Sequence, residues 1–89
     1  MTINYVDVLN TAKQGNWDKA HQQIQSYSDP VACLIHGYLH RVEGDLGNAQ
    51  YWYTRANKSM PDNTLQEEWQ RLYALAEQQA TALQSATKS

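Results

Sequence analysis

Apolar positions along the chain recur three and four residues apart and do not alternate, so the pattern predicts helices and gives no support to strands. The stretch opening at Leu65 is the clearest: Leu65, Trp69, Leu72, Tyr73, Ala76, Ala80 and Leu83 share one stripe, while Glu67, Glu68, Gln70, Arg71, Glu77 and Gln78 fall on the other side. Such a helix packs on one face only. Val31, Ala32, Cys33, Leu34, Ile35, Gly37, Tyr38, Leu39 and Val42 run almost all the way round a helix, which predicts a central element enclosed by several neighbours.

Turn residues set the boundaries. Gly15-Asn16 and Gly44-Asp45 each join a glycine, able to take the left-handed conformation that ends a helix, to a side chain that can accept the first free N–H groups of the next. Asp29-Pro30 reads as an N-cap followed by proline at the first helical position, where its missing N–H costs nothing. Thr64-Leu65-Gln66-Glu67 has the form of a capping box. The predicted helices are Thr2 to Gln14, Trp17 to Tyr27, Pro30 to Glu43, Leu46 to Ser59 and Thr64 to Gln84, and residues 85–89 are expected to form a frayed tail. The short linkers make consecutive helices antiparallel neighbours in one domain, residues 1–84.

The hairpins repeat. Aligning Gly15 on Gly44 sets GNWDKA over GDLGNA, so that Ala20 matches Ala49, Ile24 matches Tyr53 and Tyr27 matches Ala56. At Gly37, Gly44, Ala49, Tyr53, Ala56 and Pro61 the stretch VACLIHGYLHRVEGDLGNAQYWYTRANKSMPDN resembles a tetratricopeptide repeat, a helix-turn-helix unit of about 34 residues. The first hairpin resembles a degenerate repeat, matching mainly at Gly15 and Ala20, and Trp69, Leu72 and Ala76 are similar to the start of another. The same stretch, from HGYLHRVEGD to YWYTRA, also resembles a family of small bacterial proteins with no assigned activity. The tetratricopeptide resemblance implies an all-α, right-handed stack of two hairpins plus a C-terminal capping helix. It also implies a scaffold whose concave face takes a peptide or partner helix, carried here by Tyr5, Leu9, Leu34, Tyr38, Arg41 and Arg71. Members of that family that clamp a carboxylate use several Lys and Asn side chains, whereas this chain offers only Lys13 and Arg41 near the matching places.

Composition narrows the partners. Seven Lys plus Arg against nine Asp plus Glu, a net charge of −2, argue against nucleic acid, whose phosphates need a basic face. The longest apolar run, Val31 to Ile35, is far below the roughly 20 residues of a membrane-spanning helix, and MTINYVDVLN lacks the basic and apolar regions of a signal peptide. A cytoplasmic protein without membrane contact is expected. One cysteine allows neither an internal disulfide nor a Cys-rich zinc finger, and Cys33 is expected to be a small buried hydrophobe.

On the third predicted helix Cys33, His36, His40 and Glu43, spaced three, four and three, fall within an arc of about 80°. In the repeat this side packs against the paired helix, so two histidines stand where large apolar residues are usual. One reading is a metal site on His36 and His40 with Cys33 or Glu43 adding a ligand, although roughly 15 Å of helix separates Cys33 from Glu43, and His21 or Asp45 is the only evident ligand elsewhere. The other is a pair of buried rings hydrogen-bonded to Tyr53, Asn48 or a backbone carbonyl. No nucleophile elbow or phosphate loop accompanies them, and Gly44-Asp45-Leu46-Gly47 lacks the preceding strand of a dinucleotide loop, so no enzyme and no cofactor is expected.

Tyr51-Trp52-Tyr53 sweeps about 200° of the fourth helix, so the three rings face different ways. Tyr53 belongs to the core stripe, Trp52 to its edge, and Tyr51 points outward with Arg55 one turn on. Tyr51 and Trp52 either pack on Trp69 and Tyr73 or form an exposed patch of interface composition, for a partner or a second copy of the chain. Trp17 is expected to pack within the first hairpin. The leading functional expectation is therefore a non-enzymatic module that binds a protein or peptide through Tyr5, Leu9, Tyr38, Arg41, Tyr51, Trp52 and Arg55. The alternatives are a metal-binding protein using His36 and His40, and a homodimer joined by the aromatic patch.

Overall fold

The structure, a computed structural model, describes residues 4–88, with side chains described through residue 80. Five helices follow one another: α1 (Tyr5–Lys13), α2 (Trp17–Ile24), α3 (Pro30–Val42), α4 (Leu46–Arg55) and α5 (Leu65–Lys88), with no strand among the described residues. None of these helices is long and apolar enough to cross a membrane.

Local chemistry accounts for most ends. Gly15 (φ +88°) and Gly44 (φ +87°) take the left-handed conformation after α1 and α3. At each, the next N–H reaches back into the helix, Asn16 to the Thr11 carbonyl (3.2 Å) and Asp45 to the His40 carbonyl (2.9 Å). Asn57 (φ +62°) does the same after α4, with Lys58 N–H on the Tyr53 carbonyl at 3.0 Å. That left-handed residue ends α4 at Arg55, short of the predicted Ser59. Asp29 accepts from Ala32 N–H (3.3 Å) and Asp45 from Asn48 N–H (3.2 Å), as expected of N-caps. The capping box forms in both directions, Glu67 N–H to Thr64 Oγ1 (3.1 Å) and Thr64 N–H to Glu67 Oε1 (2.9 Å). Asn16 departs from expectation and makes no side-chain cap bond. α2 stops at Ile24 because Asp29, ahead of Pro30, is extended (φ −68°, ψ 163°) and the chain must leave the helix to reach it. Tyr27 then packs edge-on against Tyr5, ring centroids 5.8 Å apart. α5 continues past the predicted Gln84 through Lys88, so the expected fray from residue 85 is helical there; Ser89 and the Leu83 side chain lie outside the described residues.

α3 is the central helix: every residue from Ala32 to His40 is buried, and α2, α4, α5 and α1 all pack on it. Ala20 and Ile24 on α2 and Ala49 and Tyr53 on α4 are all fully buried. Where α3 meets α4, a Cβ added to Gly37 would stand 2.8 and 2.9 Å from Tyr53 ring carbons and 3.1 Å from the Ala49 carbonyl oxygen. No side chain fits there without displacing Tyr53. α5 lies against both α3 and α1, and the Trp69 indole N–H donates to the Leu9 carbonyl at 2.8 Å. The last helix thus reaches back across the molecule to the first.

One face of α5 differs from its pattern. Trp69, Leu72, Tyr73 and Ala76 turn inward as expected, but so does Glu68, which is fully buried although its spacing put it on the solvated side. Its carboxylate accepts from Tyr53 Oη (2.6 Å), Asn63 Nδ2 (2.9 Å) and both Nε and an Nη of Arg71 (2.8 Å each). Burial pushes its pKa up, and the hydrogen bonds from Arg71, Tyr53 and Asn63 overrule this and hold the carboxyl below the usual range. Four hydrogen bonds from three side chains make a buried charge tolerable.

Candidate functional site

The residues expected to line a concave face do not form an open one. Tyr5, Leu9, Leu34 and Tyr38 are buried, with Leu9 at 0% exposure: α5 packs on α1 and α3, its Trp69 bonded to the Leu9 carbonyl, and Tyr27 lies against Tyr5. Arg41 is half-buried and spent within the fold: its guanidinium donates to Asn63 Oδ1 (2.8 Å) and to the Asn63 carbonyl (2.5 Å), pinning the loop before α5. Arg71 is committed to Glu68. Tyr5 donates its hydroxyl to Asp29, and burial and that bond raise its pKa above the usual range. Of the seven residues expected to meet a partner, Tyr51, Trp52 and Arg55 remain, and they stand together on α4.

Their arrangement follows from helical geometry. Tyr51 projects outward and is 55% exposed, whereas Trp52, at the edge of the core stripe, is half-buried. The two rings meet edge to face, centroids 5.2 Å apart. Arg55, one turn on, lays its guanidinium over both, 4.8 Å from the Trp52 ring and 5.9 Å from the Tyr51 ring. It makes no ion pair among the described residues. Trp52 does not pack on Trp69 or Tyr73; those two rings pair with each other on α5, centroids 4.9 Å apart.

Trp52 instead covers His36, with which it stacks at 3.8 Å and 11°. Below it lies a cluster that joins α2 to α3. His36 and His40, one turn apart on α3, meet His21 from α2, and the three imidazole centroids form a triangle with sides of 4.7, 5.0 and 5.3 Å. One nitrogen from each ring lies within 4.8 Å of the other two. His21 Nε2 and His36 Nε2 are 3.0 Å apart, and His40 Nδ1 is 2.5 Å from Glu43 Oε1. His36 Nδ1 is buried and has no hydrogen-bond partner. Neither Tyr53 nor Asn48 bonds these rings. Trp17 closes the far side, stacked on His21 of its own helix at 4.7 Å and, beyond the first hairpin, donating its indole N–H to the Leu39 carbonyl of α3 at 2.6 Å.

Burial dominates the electrostatics. It pushes the His36 pKa down to about 4, helped by His21, His40 and Arg55, whose charges oppose another cation. His21 is lowered for the same reason, burial first and His40 second. His36 is therefore a neutral imidazole at physiological pH. Cys33, on the same predicted stripe, stays out of the cluster: its thiol points to the Ser28 carbonyl (3.5 Å), and burial raises its pKa, leaving a protonated, unreactive group.

Sequence spacing put His36, His40 and Glu43 on one stripe and left His21 or Asp45 as the further ligand, but it placed neither tryptophan beside them. The choice of His21 depends on how α2 lies on α3. No family model, curated protein or solved structure was found to match the chain.

Proposed function

We propose that this protein is a non-enzymatic interaction module on a tetratricopeptide-like frame, and that its docking surface is the Tyr51, Trp52 and Arg55 face of α4. Two hairpins with the same glycine turns, the same buried Ala20 and Ala49 and a last helix packed across them support the frame. The observation that carries the reading is the exposed Tyr51 beside an Arg55 guanidinium that lies over two aromatic rings without a carboxylate partner among the described residues. Tyrosine, tryptophan and arginine are the side chains that dominate interface energies, because rigid rings bury much area at little entropic cost and the guanidinium fork recognises carboxylates in two-pronged fashion. The partner that fits is a protein segment carrying an acidic side chain next to an apolar one.

Selection from a displayed random-peptide library tests this. Peptides enriched in Asp or Glu are expected, with affinity falling at least tenfold on Tyr51→Ala plus Arg55→Ala while helicity stays unchanged. No enrichment, or equal binding to the double variant, overturns the reading. A dimer in native mass spectrometry that the double variant dissociates would identify the partner as a second copy of the chain.

A further inference from the structure

We propose that His21, His36 and His40 form a binding site for a divalent first-row transition cation of the zinc class, supported from outside by Glu43. The site bridges two helices, with α2 supplying His21 and α3 supplying the i, i+4 pair His36 and His40.

The geometry is close to that of a bound state. An ion about 2.0 to 2.1 Å from an imidazole nitrogen lies roughly 3.2 Å from the ring centroid, so three tetrahedral imidazole ligands have centroids about 5.2 Å apart. The observed triangle has sides of 4.7, 5.0 and 5.3 Å. Ligand nitrogens around such an ion are about 3.3 Å from each other, compared with 3.0 Å between His21 Nε2 and His36 Nε2 here. The widest pair must close from at most 4.8 Å. The His36 and His40 planes are only 23° apart, so ligation turns His40 about χ2, a broad torsion, and the exposed Glu43 side chain follows to keep its bond to Nδ1.

Little has to be given up for an ion to bind. The polar partner of His36 is His21, itself a ligand, and His36 Nδ1 bonds nothing. His40 gives Nδ1 to the Glu43 carboxylate, which leaves Nε2 as its free nitrogen and reproduces the carboxylate–histidine–metal relay that orients metal ligands in general. A neutral His36 suits the role as well, since a protonated imidazole has no lone pair to offer and burial disfavours its cation. A site whose ligands are three imidazoles selects zinc, cobalt, nickel or copper over calcium and magnesium, which need oxygen ligands; the Glu43 and Asp45 carboxylates gather on His40 alone of the three.

This site stands independently of the α4 docking surface. Its test is calorimetric titration of the chelator-treated, desalted full chain with Zn2+, paired with Co2+ absorption and tryptophan fluorescence. One Zn2+ per chain is expected, as are Co2+ ligand-field bands and quenching of emission by Co2+ through Trp52 on His36 and Trp17 on His21. His21→Gln, on a half-exposed position that leaves the core intact, is expected to lower affinity at least 100-fold, with His40→Gln doing the same. Glu43→Gln, which keeps all three ligands, is expected to lower it about 10- to 100-fold. Absence of saturable uptake overturns the proposal, and so does uptake undiminished by His21→Gln in a chain whose circular dichroism is unchanged.

Discussion

Two buried polar clusters flank α3, and they solve the same problem in opposite ways. Around Glu68 the fold keeps a charge and surrounds it: Tyr53, Asn63 and Arg71 all donate to the carboxylate, and Arg41 holds Asn63 in place. Around His36 the fold removes the charge from that ring, packs three imidazoles between Trp17 and Trp52, and leaves one ring nitrogen without a partner. A fully satisfied network is a fastener, because breaking any member strands another in low dielectric. An incompletely satisfied one contributes less to stability and retains lone pairs that a ligand can use. The contrast separates the region that holds α4 and α5 together from the region with unspent chemistry.

The largest effect is expected at Glu68. Glu68→Ala leaves the Tyr53 hydroxyl and Asn63 amide without an acceptor and releases Arg71, costing about 3 to 5 kcal/mol in urea unfolding. A loss under about 1 kcal/mol would show the network to be ornamental. Gly37→Ala comes next. Its Cβ drives Tyr53 away from α3 and so from Glu68, at roughly 1 to 3 kcal/mol. Ala49→Leu overpacks the same contact by a similar amount. Thermal midpoints unchanged by both would refute the close approach of α3 and α4.

Acid sharpens the comparison from the other side. The folded carboxyl of Glu68 sits below its ordinary value of 4.5, so the unfolded chain binds its proton first as pH falls. The stability it contributes is complete above about pH 4.5 and is lost as pH drops through the folded value. Urea midpoints measured from pH 6 to pH 3 are expected to fall in the wild type and to fall less in Glu68→Gln. The smallest effect belongs to the histidines: with metal removed by chelator, His36→Phe keeps the stack on Trp52 and deletes the orphaned nitrogen. It is expected to be neutral or stabilising by up to about 1 kcal/mol, the reverse of any change at Glu68. A loss of 2 kcal/mol or more would mean that the imidazole is structural.

The helices and their caps were legible in the sequence because they depend on neighbours within four residues. Gly15, Gly44, Asp29 and the Thr64–Glu67 box each act on backbone a turn away, and the enclosure of α3 follows from apolar residues on all its sides. The same local logic set Tyr53 inside and Tyr51 outside. Periodicity misplaced Glu68, since a stripe records average polarity and not whether an opposing Tyr53 and Arg71 wait to satisfy a carboxylate. It also left Tyr5 and Leu9 on an open face, because nothing local to those residues says that Tyr27 folds against Tyr5 or that α5, sixty positions on from Leu9 in the Trp69 bond, returns to Leu9. His21 joins His36 and His40 only where α2 is laid on α3. The chain by itself determined which segments are helical and which side of each avoids water, both short-range consequences of backbone hydrogen bonding and apolar spacing. Only the tertiary structure decided which polar side chains were buried together, because that depends on how helices distant in sequence cross.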